Sequence, residues 1–420
     1  MGNKNILLIG KGAVISALAK KLHSIPNVEK IFAAPGNGVT NDVYENIDIR
    51  EDDLTGLLKF ALDNNIDLAI PTSNEAFKSD IVSFFQSNGQ NIFAPAKNIC
   101  NTILNKIQVR KFLYKNNAKS PKFGIFNKFQ TALDYLKTSS FPVLIKSQTV
   151  SGLNDDKMIC PTMKYASDYI ETLFNNGETD IIIEDYIYGT NFTIYYFTDG
   201  YSALPITAVA NMKFATGNLE GDFTDGVGAY APDYRISNKI LQKLEPLVNN
   251  ILVSFDQKGT PYIGILGVEC ILTGDDEFLA EDLKPFFQNH DCRTVLNILE
   301  DDIIEIIYSC LNGAFSDEYN EIKINNLHSI TAIVSAQYGS QIIENIDCCE
   351  DIYNIDFNNV KQNSGNYYTN QGACFAITRT SKTLTRAKEY LEQDLSVIKF
   401  NGMNYRKDIC NNSTKSSVRY

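Results

Sequence analysis

The chain has 420 residues, 44% of them hydrophobic and 21% charged, with no long polar or low-complexity tract. A small stapled scaffold and a disordered chain are both excluded, and two to four structural units with sizeable cores are expected. Lys and Arg number 38 against 50 Asp and Glu, a net charge of −12, so no nucleic-acid partner is expected, whereas a few lysines or a magnesium ion suffice for a small phosphorylated ligand.

Nine cysteines form no C-x-x-C pair and there are three histidines, which argues against a zinc site or a disulfide framework. The apolar start MGNKNILLIGKGAVISALAKKL is broken by Gly10, Lys11 and Gly12 before a secretory or membrane-spanning segment can form, and Ile6 stands where N-myristoylation needs Ser or Thr. A cytoplasmic protein with reduced thiols and no membrane partner is expected, disordered only beyond Cys410.

In chain order, NILLI (5–9) reads as a strand, Gly10-Lys11-Gly12 as a turn, and Ile15, Leu18, Ala19 and Leu22 recur at helical spacing. A strand into a turn over 28–38, a helix at 54–65, a strand at 67–72 and a helix at 80–89 continue the alternation, which predicts a doubly wound parallel sheet in the first hundred residues. The G-x-G turn has Ile15 at the third glycine position and no acidic residue closes the next strand, so a dinucleotide site is not expected.

From 101 the texture changes. A helix at 105–116 is followed by strands PVLIKS (142–147), DIIIEDYIYG (180–189) and NFTIYYFTDG (191–200), the last turning into a hairpin. Strands 263–273 and 276–283 flank Gly274-Asp275, a second hairpin signal. A helix at 300–313 stops at its glycine, and His328 to Cys410 mixes strands SITAIVSA and ACFAITRT with an amphipathic helix at 384–395.

APGNG (34–38), the Asn105-Lys106 helix start, PVLIK (142–146), IIEDYIYG (182–189), GVGAYAP (226–232) and FNGMNYRKDI (400–409) occur in this order along residues 1–410. In that order and spacing the chain resembles the phosphoribosylamine–glycine ligase (glycinamide ribonucleotide synthetase) family of the ATP-grasp superfamily. The resemblance implies an α/β chain in three parts: an N-terminal doubly wound domain over 1–103, an ATP-grasp region over 104–325 with a lid subdomain near 120–190, and a C-terminal α+β domain over 326–420. It implies ATP and Mg²⁺ (or Mn²⁺) as cofactors, glycine and 5-phosphoribosylamine as small-molecule substrates of a monomer, and a glycyl phosphate intermediate in purine synthesis.

Residue by residue, the resemblance puts Lys106 and Lys146 at the ATP phosphates, and an ammonium ending an apolar strand such as PVLIK suits a phosphate and is costly to leave unpaired. Glu184, Asp185, Tyr186 and Ile187 match the adenine hinge, read mainly through its backbone, and Asn191 stands where the family binds ribose hydroxyls with a glutamate. Lys213 is retained near the substrates, and His290, with a reference pKa near neutrality, is a candidate for proton transfer.

The chain departs from the family at several positions. The family's G-S-G-G-R-E-H is here Gly10 to Ser16, G-P-E is Thr72-Ser73-Asn74, Ala210, Asn211 and Met212 replace polar residues, and the phosphate lid SQTVSGLNDDK (147–157) holds one glycine and Asp155-Asp156. The metal strand E-F-N-x-R keeps neither its Asn nor its Arg. Aligned from the left it offers Glu281 and Leu283, and from the right Asp282 and Lys284, with Glu269 on the preceding strand as a further carboxylate. Glu269 with one of Glu281 or Asp282 suffices for Mg²⁺, and strict alternation sends the latter two to opposite faces. The losses leave open a ligase for another amine and carboxylate, or a non-catalytic nucleotide-binding homologue.

Overall fold

The computed structural model describes residues 3–39, 42–148, 157–214, 223–349 and 352–410. The expected disorder beyond Cys410 and most of the lid stretch, including Asp155 and Asp156, fall outside these residues.

The chain is α/β, and its N-terminal sheet is parallel, ordered Glu45–Asn46, Val28–Pro35, Lys4–Gly10, Leu68–Pro71. Ile6 to Ile9 are fully buried, which is why NILLI reads as a continuous apolar run. Helix Ala13–His23 follows the first strand, and helix Leu54–Asp63 starts at Asp53, whose side chain accepts from the Gly56 amide. Lys4–Gly10 lies between strands that follow it by opposite crossovers, so the loops at its carboxyl end open into a crevice.

Residues 123–185 contain a separate antiparallel sheet: Phe123–Phe126, Ile181–Asp185, Val143–Ser147, Lys157–Cys160. Helices Phe129–Leu136 and Met163–Asn175 cover one face, burying Ala132, Leu136, Ala166, Ile170 and Leu173 against Val143, Ile145, Ile181 and Ile183. The expected strand 180–189 stops at Asp185, and the chain re-enters a different sheet at Thr190.

That sheet has nine strands. Glu277–Lys284, Tyr262–Gly274, Thr190–Gly200, Ala203–Phe214 and Phe223–Ala231 lead directly into His328–Ala336, Gly372–Ser381 and Ile355–Phe357, while Met403–Asn404 pairs with His328–Ala336. The first hairpin turns at Tyr201-Ser202, whose amides both donate to Asp199 Oδ1. The second turns one residue later than expected, at Asp275-Asp276: Gly274 pairs with Glu277, and Asp276 takes the left-handed conformation with φ 58°. Helix Asn238–Asp256 packs beneath the sheet, burying Ile240, Leu244, Val248, Ile251 and Phe255 against helix Lys106–Lys115 and strand Thr190–Gly200.

Candidate active site: a ladder of alternating charges beside a neutral cavity

Five strands and one helix bring eight charged side chains into one line. Arg110, on helix Lys106–Lys115, stands 2.7 Å from Glu184, which lies 3.0 Å from Lys146; Lys146 is 3.5 Å from Glu281. Glu281 is 3.9 Å from Lys213, Lys213 is paired with Glu269, and Lys284 reaches Glu269 at 3.5 Å and Asp282 at 2.9 Å. Arg110, Lys146, Glu184, Lys213, Glu269 and Glu281 are all buried. Charges so placed persist only because each has an opposite neighbour, since the desolvation of an unpaired ion costs several kcal/mol.

The position of the carboxylates differs from the alternation expected of a regular strand. Glu269 pairs with Asp282 and Cys270 with Ala280, so Glu281 is an extra residue in its strand, a β-bulge. The bulge re-aims both side chains into one ion network: Glu281 toward Lys146 and Lys213, Asp282 toward Lys284. Strict alternation would have sent the two to opposite faces.

The electrostatics follow from burial and charge. Burial alone raises a carboxyl pKa, but Lys213, Lys146 and Lys157 outweigh it and hold Glu281 well below the usual carboxylate range. Against the same burial, Lys284 and Lys157 bring Asp282 down to about 2. Burial dominates at Lys213 and, against the attraction of Glu281, takes its ammonium down to about 7.

Lys106 opens its helix behind the Asn105 cap, and its amide donates to Gln148 at 2.6 Å. In the hinge segment, the amides of Asp185 and Tyr186 already donate to Lys122 and Pro142 carbonyls, so these two donors serve the fold. Tyr186 stacks edge-on with Tyr188, and Ile187 between them is partly buried. Asn191 donates to Glu281 at 3.0 Å, which ties it to the ladder. Arg110 escaped the sequence reading, although its position four residues after Lys106 places it on the same helix face.

His290 lies outside the ladder. Its Nε2 is 3.0 Å from Asn211 Nδ2, and the Asn211 oxygen accepts from Thr193. The same Nε2 lies 3.6 Å from Asp291 Oδ2. Neighbouring Asp291 accepts from Tyr195 at 2.6 Å, and burial raises its pKa. Gly226 has φ 142°, and a Cβ there would overlap the His290 ring, so glycine is required for the approach. The ring lines a cavity of about 460 Å³ with Asn74, Thr224, Asn289, Ser335 and Asn358, where the loops after the first and last strands of the parallel sheet meet the large sheet.

Among the described residues no three His, Cys, Asp or Glu side chains stand together as a ready metal cage. Each ladder carboxylate is neutralised by a lysine instead. The donors are nevertheless all carboxylate oxygens, the set preferred by a hard divalent cation that completes its shell with phosphate and water. They fit such a cation bound together with a phosphorylated ligand.

A family model described as the phosphoribosylglycinamide synthetase ATP-grasp (A) domain matches residues 104–288, and the N-domain model of the same family matches residues 4–101. The phosphoribosylamine–glycine ligase of Clostridium acetobutylicum is 27% identical over 417 residues, covering 96% of this chain and 99% of that protein. That of Caldanaerobacter subterraneus is 26% identical over 420 residues, covering 96% and 99%. Among solved structures, Thermotoga maritima phosphoribosylamine–glycine ligase superposes with a TM-score of 0.78 at 17% identity, over 96% of this chain and 99% of that one. A biotin carboxylase–β,γ-ATP complex from Campylobacter jejuni superposes with a TM-score of 0.70 at 13% identity, over 99% and 95%, a likeness of fold. With both its parallel-sheet part and the part that carries the charge ladder matched, the chain belongs to the phosphoribosylglycinamide synthetase family.

Proposed function

We propose that the chain joins glycine to 5-phosphoribosylamine at the expense of ATP, giving glycinamide ribonucleotide, ADP and phosphate in purine synthesis. The observation that carries this reading is the ladder, in which lysines able to meet phosphates are stored on carboxylates able to hold a metal. A carboxylate is a poor electrophile. Transfer of the γ-phosphoryl group to a glycine oxygen releases ADP and gives glycyl phosphate; the amine nitrogen then attacks the carbonyl carbon, loses a proton, and phosphate departs.

In this reading Lys106, Lys146 and Lys213 bind phosphate oxygens, and Glu184 keeps Lys146 in place while satisfying Arg110. The hinge from Glu184 to Ile187 cradles the adenine and Asn191 faces the ribose. Glu269, Glu281 and Asp282 are the residues that would hold Mg²⁺ or Mn²⁺, which supplies neutralisation of phosphate charge. His290, which lines the adjoining cavity, assists proton transfer from the amine substrate. Incubation with ATP, Mg²⁺, glycine and freshly made phosphoribosylamine is expected to release ADP in an amine-dependent manner; no such release sinks the assignment.

One observation favours a second reading. Among the described residues lining the His290 cavity there is no Lys or Arg. A ligase of the same chemistry that takes an uncharged amine fits such a lining, and unphosphorylated ribosylamine in the same assay separates the two.

A further inference from the structure

We propose that Lys11, held by the buried carboxylate of Glu51 at the edge of the His290 cavity, is the cation that grips the phosphate of the amine substrate. The inference rests on the ligase reading above and supplies the positive charge that the described lining of the cavity lacks.

The loop Gly10–Gly12 leaves the central strand of the parallel sheet at its carboxyl end, where the crevice opens. Its glycines bring it against neighbouring walls. A Cβ on Gly12, which has φ 91°, would overlap Asn358 and crowd Asn289, and one on Gly10 would overlap Thr72. Asn289 and Asn358 line the cavity, as do Ala13 and Asn74, which end the two loops. Lys11 is therefore flanked by residues packed against this site.

Its partner shows that the lysine is placed for a ligand. The Lys11 side chain is 62% exposed, whereas that of Glu51 is 7% exposed. The two approach to 3.5 Å, and neither oxygen of Glu51 has a hydrogen-bond partner. Burial pushes the Glu51 pKa up, against the attraction of Lys11. A carboxylate taken out of water without hydrogen bonds weakens the fold, and an ion pair with so exposed a partner returns little. As a holder, however, Glu51 fixes an ammonium whose three donors suffice to meet the carboxylate and a phosphate together.

The test is calorimetric binding to the full chain, in the presence of ADP, of two ligands: the product glycinamide ribonucleotide and its dephosphorylated riboside. The wild type is expected to bind the ribonucleotide about tenfold tighter, the gain of one charge-assisted hydrogen bond partly offset by Glu51. In Lys11→Met the preference should fall below about threefold with riboside affinity unchanged, and Lys11→Arg, which keeps the charge, should retain it. Lys11→Met combined with Glu51→Gln leaves no buried carboxylate without its cation; it should lose the preference likewise, and it serves should Lys11→Met alone fail to give a cooperative thermal melt. Equal binding of the two ligands by the wild type, or the wild-type preference surviving in a folded Met variant, overturns the proposal. Binding of neither ligand by the wild type overturns instead the ligase reading on which it stands.

Discussion

From Arg110 to Asp282, four cations and four carboxylates alternate within ion-pairing distance of one another. The cavity beside His290 is lined instead by amides, hydroxyls and apolar groups. Asn211 joins the two, because it lies two residues before Lys213 on one strand and bonds His290 at 3.0 Å. A charged ladder stores strong interactions that a ligand must exchange, so it suits a step in which charge moves. An amide-lined cavity orients a ligand at little electrostatic cost and suits recognition. Substitutions in the ladder are therefore expected to affect stability and turnover, and those in the cavity the use of the amine.

The largest effect is expected from Glu184→Ala, which leaves Arg110 and Lys146 buried without their shared partner. Removing one member of a buried ion pair costs about 3–5 kcal/mol. Chemical denaturation should show a loss of that size; a loss below about 1 kcal/mol would mean that the ladder is held together elsewhere. Next comes Lys213→Met. If this ammonium serves the moving phosphoryl group, turnover falls on the order of 10²–10³ with a smaller change in ATP affinity. Equal losses in both would assign Lys213 to ground-state binding.

The third effect is one of pH. Asp282 is held at about 2, below its ordinary 3.8, and Glu281 is also depressed, so both contribute stability that is present above about pH 4–5 and lost as pH falls through their folded values. Unfolding free energy should decline between about pH 4 and 2, and Asp282→Asn should remove about 2 kcal/mol of that dependence. An unchanged slope in the variant would contradict the pairing with Lys284. The smallest effect is expected in the cavity. Asn211→Ala removes the contact with His290, worth about 1 kcal/mol, together with the bond accepted from Thr193, so kcat/KM for the amine should drop roughly fivefold while ATP affinity stays constant. A loss of ATP affinity would show that the two regions are not separable.

Much of the fold is legible in the residues. Helix Ile303–Leu311 begins where Asp302 accepts from the amides of Ile304 and Glu305 and ends before Gly313, which has φ 67°. Helix Asn238–Asp256 is harder to read because Pro246 interrupts its apolar stripe. An interior proline costs about 3 kcal/mol, but each large buried side chain contributes about 1.5–3 kcal/mol, and seven buried residues on one face outweigh it.

The sequence alone determined the local facts: the parallel opening unit, the hairpins, and the presence of Lys146, Glu269, Glu281, Asp282 and His290 in strands or just beyond them. These follow from side-chain periodicity and turn chemistry, which act over a few residues. Which of these groups meet was decided by the tertiary structure. The bulge at Glu281, the placement of Arg110 under Glu184, and the separation of His290 from the ladder depend on strand register and on helices packed from 74 to 170 residues away in the chain. Buried charge makes those long-range choices decisive, because each ion is tolerated only where a partner from another element arrives to neutralise it.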